Sequence, residues 1–102
     1  MSVISDMLYE EHNRLSRAID SFENVITELP KGTIIWKNIK NRSYPYLQWR
    51  EGTKVKSRYI KEKELAQVQD NVEQRKEYER NIKGMKDTRS EIERMLVRSK
   101  LK

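Results

Sequence analysis

Apolar positions near the start of the chain recur at helical intervals. Leu8, Leu15, Ile19, Phe22, Ile26 and Leu29 follow one another at steps of seven, four, three, four and three residues. Such steps line one face of a helix, with the spacing of a coiled-coil seam. A helix is therefore predicted over residues 1–29. Ser2 or Ser5 is expected to cap it, Asp6 suits its first turn, and Glu10 is expected to pair with Arg14. Pro30 disfavours a helical residue before it and Gly32 commonly follows a helix end. From Lys61 onward the pattern returns. Leu65, Val68, Val72, Tyr78, Ile82, Met85, Ile92 and Leu96 trace a stripe that Arg75 and Arg89 interrupt. Arginine can lay its stem on an apolar seam while its head reaches water. One helix is predicted over residues 61–100. Gly84 marks a kink or a break, since glycine in a helix costs roughly 1 kcal/mol against alanine. At about 1.5 Å per residue the second helix would be roughly 60 Å long and the first roughly 40 Å. The two stripes are expected to pack on each other, and the surplus length to project beyond the body or to meet a partner or a second copy.

Between the helices the period changes. Residues 32–60 hold five of the eight aromatic side chains. They read as three strands, Thr33–Lys37, Tyr44–Arg50 and Lys54–Ile60, with 38–42 as a loop and Glu51-Gly52-Thr53 as a turn. Pro45 lacks an N–H, so it belongs at an unpaired edge or at the start of its strand. Register decides which side chains share a face. With three residues in the turn, Arg50 pairs with Lys54 and Trp49 with Val55. Leu47, Trp49, Val55, Ser57 and Tyr59 then face inward. Tyr46, Gln48, Arg50, Lys54, Lys56 and Arg58 face outward. A two-residue turn would set lysines beside Trp49 and Leu47, which favours the odd loop. The expected class is α+β: a long helix, a small antiparallel hairpin or three-stranded meander, and a long C-terminal helix, with the helices paired in coiled-coil fashion in one domain of residues 1–102.

Charge sharpens this picture. The total is +6, but its distribution is uneven. Residues 1–30 carry net −4, residues 31–61 net +8 with Glu51 as the sole acid, and residues 62–102 net +2. A solvated surface usually mixes signs, so the middle segment needs a reason. Lysine and arginine neutralise phosphates, and an exposed tyrosine stacks on a base. The candidate contact residues are Lys37, Lys40, Arg42, Tyr46, Gln48, Arg50, Lys54, Lys56 and Arg58. Against this stands the use of lysine on edge strands to prevent aggregation.

Other chemistry finds little support. The chain has no cysteine, which fits a reducing compartment and excludes thiolate metal sites. No basic stretch followed by an apolar run opens it, and no stretch approaches the roughly 20 apolar residues of a bilayer span, so a cytoplasmic location and no membrane partner are expected. The single histidine, His12, lies on the first helical seam as a packed boundary residue. Gly32, Gly52 and Gly84 form no phosphate loop, and Tyr44, Tyr46 and Tyr59 have no base beside them. A non-enzymatic protein without cofactor or metal is expected.

The run Tyr46, Leu47, Trp49, Arg50, Glu51, Gly52, Lys54, Ser57, Arg58, Tyr59, Ile60, leading into a charged helix, resembles a hairpin shared by small uncharacterised prokaryotic and phage proteins. The resemblance covers residues 30 to about 95. Some relatives carry cysteines just before the hairpin, and this chain has none. The resemblance brings no established activity, but it implies a mobile-element setting that includes candidate anti-CRISPR inhibitors. Three strands followed by a helix also resemble the arm-binding domain of tyrosine integrases, which reads DNA with its sheet. Three readings follow: a binder of nucleic acid or a nucleoprotein through residues 42–58, an anti-CRISPR-type inhibitor that binds a guide-RNA nuclease, and a coiled-coil homodimeric adaptor.

Overall fold

A computed structural model describes residues 3–100, with Ser99 and Lys100 described at the backbone alone. Helix α1 spans Val3–Ile26. Strands β1 (Thr33–Ile39), β2 (Arg42–Glu51) and β3 (Lys54–Tyr59) form an antiparallel sheet in the order β1-β2-β3. A single 3-10 turn, Glu62–Glu64, leads into helix α2, Leu65–Lys100. The class is α+β, with one helix before the sheet and a longer one after it. The chain gathers into two compact units. One combines residues up to Thr27 with those from Tyr78 onward, and the other is Glu28–Glu77.

In the first unit α1 pairs with the C-terminal part of α2. Leu15, Ile92 and Leu96 form a buried cluster against which Leu8 and Met85 pack, and Ile19 and Ile82 are buried as well. Farther along α1 the ring of Phe22 meets that of Tyr78 with centroids 5.3 Å apart. Early α1 residues thus meet late α2 residues, so the pair is antiparallel. Polar side chains close the seam. His12 Nε2 lies 2.9 Å from Glu93 Oε1, Arg89 Nη1 donates to Ser16 Oγ at 3.2 Å, and Lys86 Nζ bridges to Glu23 at 2.9 Å. A surface ion pair such as Lys86–Glu23 contributes little, on the order of 0–1 kcal/mol, so the leucines and isoleucines hold the helices together.

Some local expectations need correction. Helix α1 ends at Ile26, short of the predicted Leu29. The Thr27 hydroxyl turns back on the helix end, donating to the Asn24 carbonyl at 2.7 Å, while Pro30 disfavours helix at Leu29. Arg14 bonds Glu11 at 2.9 Å rather than Glu10, since residues three apart on a helix are also neighbours. Ser5 lies inside α1, and Ser2 lies outside the described residues. Helix α2 is continuous through Gly84.

The second unit is built on two tight hairpins. Lys40 and Asn41 connect β1 to β2 with φ of 50° and 66°. Two positive φ values in a two-residue loop are the mark of a type I′ turn, which matches the strand twist. The expected loop over 38–42 is therefore only these two residues, and β2 begins at Arg42. The second connection is also two residues long, with Glu51 opposite Lys54. Its first residue, Gly52, has φ +61°, whereas Thr53 is not positive, the pattern of a type II′ turn. The three-residue turn predicted from the sequence does not form.

One face of the sheet carries the core. Leu47, Ile60, Val68 and Val72 are buried together, with Ile34, Trp49 and Leu65 packed around them. Ile60 is wholly buried and its N–H donates to the Pro45 carbonyl at 3.0 Å. Pro45 is not at a strand start, and β2 is the central strand. It is tolerated because the β2–β3 register ends at Tyr46↔Tyr59. Beyond that point the proline accepts one bond and is not asked to donate. Within this unit Arg75 Nη1 donates to the Leu29 carbonyl at 2.8 Å, and so satisfies a backbone group in the connection that leads to β1.

Candidate functional site

The register sets which residues can act together. Directly opposed residues share a face, and alternate residues change face. The pairs Ile34↔Leu47, Trp36↔Pro45, Leu47↔Arg58 and Trp49↔Lys56 define the face that bears the core. The pairs Ile39↔Arg42, Lys37↔Tyr44, Ile35↔Tyr46, Tyr46↔Tyr59 and Arg50↔Val55 define the other. This second face is open: each of its residues is exposed or half-buried.

The predicted contact residues therefore divide. Lys37, Arg42, Tyr46, Gln48 and Arg50 share the open face, and Lys40 sits exposed in the turn at its end. Lys54, Lys56 and Arg58 do not join them. They lie on the core side of β3, opposite Glu51, Trp49 and Leu47. Conversely Val55, Ser57 and Tyr59, expected inward, lie on the open face. On a buried face, lysines beside Trp49 and Leu47 carry a penalty. The penalty vanishes because β3 is an edge strand whose six residues are all exposed. A long stem can cover apolar surface while its charged head reaches water or a carboxylate. Lys56 Nζ is 2.8 Å from Glu51 Oε2, and Arg58 Nη1 is 3.7 Å from Glu64 Oε1. The Glu51 carboxyl is held below the usual carboxylate range, first by its bond from Lys56 and then by the Trp49 indole N–H, which donates to it at 3.0 Å.

On the open face the tyrosines gather. The rings of Tyr46 and Tyr59 meet edge to face at a centroid separation of 5.6 Å, and those of Tyr44 and Tyr59 at 6.2 Å. Lys37 Nζ stands 4.4 Å from the centroid of the Tyr46 ring, a cation–π contact. Arg42 and Arg50 flank the cluster from the two ends of β2. No aspartate or glutamate falls on this face, since Glu51 takes the opposite parity. Tyr44 and Tyr59 are not among the contact residues expected from the sequence. Alternation along β2 already puts Tyr44 on the face of Tyr46, and the signal for Tyr59 is Gly52, whose place just after Glu51 suits a two-residue turn and so puts Tyr59 beside Tyr46.

The arrangement offers aromatic edges and faces, fixed positive charge and little else. Among the described residues no group of three or more His, Cys, Asp or Glu side chains could hold a metal ion. Nor is any helix among them long and apolar enough to cross a membrane. Fold and face together define a small α+β protein with a sheet that is backed by a helix on one side and bears an uncovered basic, tyrosine-rich surface on the other. The chain belongs to the family described as domain of unknown function DUF6788, whose profile matches residues 5–70. That match takes in most of α1, the whole sheet and the first residues of α2. No curated protein and no solved structure shows significant similarity to the chain.

Proposed function

We propose that the open sheet face binds single-stranded nucleic acid and that the protein acts by binding rather than by catalysis. One observation carries this reading. Tyr44, Tyr46 and Tyr59 form a continuous ring cluster, with Lys37, Arg42 and Arg50 around it and no carboxylate on the same face. Unpaired bases stack on aromatic rings with little regard to sequence, at about 1–3 kcal/mol per base. Cations nearby neutralise phosphates and release counterions. A duplex hides its base faces, so a tyrosine surface favours strands that are not paired. The face also suits a binder better than an enzyme, because it is open and has no acid, base or metal cluster beside the rings.

Fluorescence anisotropy with labelled single-stranded and duplex DNA and RNA, at two salt concentrations, tests the reading. Single strands should bind, and more weakly at higher salt. Replacing Lys37, Arg42 and Arg50 together by alanine should lower affinity and reduce the salt slope by about 2, since each phosphate contact on a single strand contributes about 0.7. Tyr59→Ala should cost about 1–3 kcal/mol. Lys56→Ala with Arg58→Ala should change affinity much less, because those heads are engaged with Glu51 and Glu64. A chain with no affinity at low salt, or a triple variant that binds like the parent, overturns the proposal. Capture of a guide-RNA nuclease by a chain without nucleic-acid affinity of its own would favour the inhibitor reading instead.

A further inference from the structure

The two edges of the sheet are guarded differently. Strand β3 carries Lys54, Lys56 and Arg58, the usual device that keeps an edge from pairing with another chain. Strand β1, with the sequence Thr-Ile-Ile-Trp-Lys-Asn-Ile, has one charge and no proline over its 7 residues. It leaves Trp36 54% and Ile39 45% exposed. In a two-residue hairpin the closing pair, here Ile39↔Arg42, is hydrogen-bonded, and bonded pairs then alternate along the ladder. Lys37, Ile35 and Thr33 therefore bond to β2. The backbone N–H and C=O groups of Ile34, Trp36 and Asn38 point the other way, toward an edge that no other strand of the sheet covers.

We propose that this edge pairs with β1 of a second copy, antiparallel, about a two-fold axis at Trp36. In that register Trp36 faces its own copy and Ile34 faces Asn38 of the second copy. All outward backbone groups of the strand find partners, because each of these opposed pairs exchanges both ladder bonds. Lys37 selects the register. Centring the axis one residue later would set Lys37 against itself, a like-charge pair that destabilises a sheet, whereas centring on Trp36 sets it against Ile35. Centring one residue earlier would set Asn38 against Gly32, beyond the strand end, and shorten the ladder. The side chain of Trp36 also has somewhere to go. With Thr33, Ile34 and the α2 residues Asp70, Val72 and Glu73 it lines a groove of about 420 Å³ beside this edge, on the side of the sheet to which the Trp36 of the second copy would project. Two tryptophans opposed at the axis add an aromatic pair. The pairing does not rest on the nucleic-acid reading.

Light scattering and sedimentation of the full chain across the micromolar range test it, with circular dichroism to check the fold. The parent should be a dimer. Trp36→Lys, which places two lysines face to face at the axis, should be a monomer with unchanged helix content. The chain has no cysteine, so Trp36→Cys gives a single thiol. Opposed Cα atoms in a bonded pair lie about 5.5 Å apart, within the range a disulfide spans. Oxidation should cross-link Trp36→Cys rapidly and Ser57→Cys, on the β3 edge, slowly. If Trp36→Lys fails to fold, the cross-linking comparison decides alone. A monomeric parent, a dimer that survives in folded Trp36→Lys, or equal cross-linking at both positions overturns the proposal.

Discussion

Gly32 shows how much a single residue can fix. Its φ of +120° lies where side chains are rarely found, and a Cβ built on it would stand 2.2 Å from the Gln48 carbonyl oxygen. The obstacle is backbone of the central strand, so nothing can swing aside. Gly32→Ala should therefore destabilise the protein by more than about 2 kcal/mol, the cost of a strained backbone with a clash added. Urea denaturation should show a lower midpoint with an unchanged slope; a midpoint equal to the parent's would show that β1 can shift without loss. This residue was legible in the sequence as a helix stop, next to Pro30. Its close approach to Gln48 was not, because that depends on which strand lies beside it. Ile60 was legible only as the last residue of a strand. Its complete burial follows from its place where the sheet hands over to α2, which no local spacing reports.

At the scale of elements, periodicity carried far. Both helices and all three strands could be read from spacing and from β-branched and aromatic content, and Gly84 was identified as the weak point of α2. The structure keeps α2 whole there, with Thr88 Oγ1 donating to the Gly84 carbonyl at 3.1 Å and open space where a Cβ would be. Gly84→Ala should thus stabilise the protein by about 0.5–1 kcal/mol, read as a rise in thermal midpoint. A lower midpoint would mean that the glycine serves a bend. Register was harder to read than existence. The turn after Glu51 admitted two lengths, and the choice between them rested on keeping Lys56 and Arg58 away from Trp49 and Leu47. At a sheet edge that rule fails, because a lysine stem can cover apolar surface while its ammonium reaches Glu51. One residue in a turn then moved every side chain of β3 to the opposite face. Six of the nine expected contact residues survived this change, because Lys37, Arg42, Tyr46, Gln48 and Arg50 belong to β1 and β2 and Lys40 to the turn between them, none of which the second turn sets. Tyr59 entered with it, beside Tyr46 and close to Tyr44.

For the molecule as a whole, the uneven charge was visible at once, whereas the division of the chain into units was not. Composition shows that residues 31–61 are basic, but only the pairing shows that the charge is split between two faces. The same connectivity has a consequence in time. The sheet is made of neighbours in sequence, joined by two-residue turns, and such hairpins form in about 1–10 μs. The helical pair requires Phe22 to find Tyr78 across everything between them. Closing so long a loop is slow while the intervening chain is loose, and faster once the sheet has gathered it up. The hairpins should accordingly be formed in the folding transition state and the helical seam should not. In stopped-flow chevrons, Gly52→Ala at the second turn should mainly slow folding, while Ile92→Val in the seam should mainly speed unfolding. The reverse pattern would mean that the helices meet first and the sheet condenses between them.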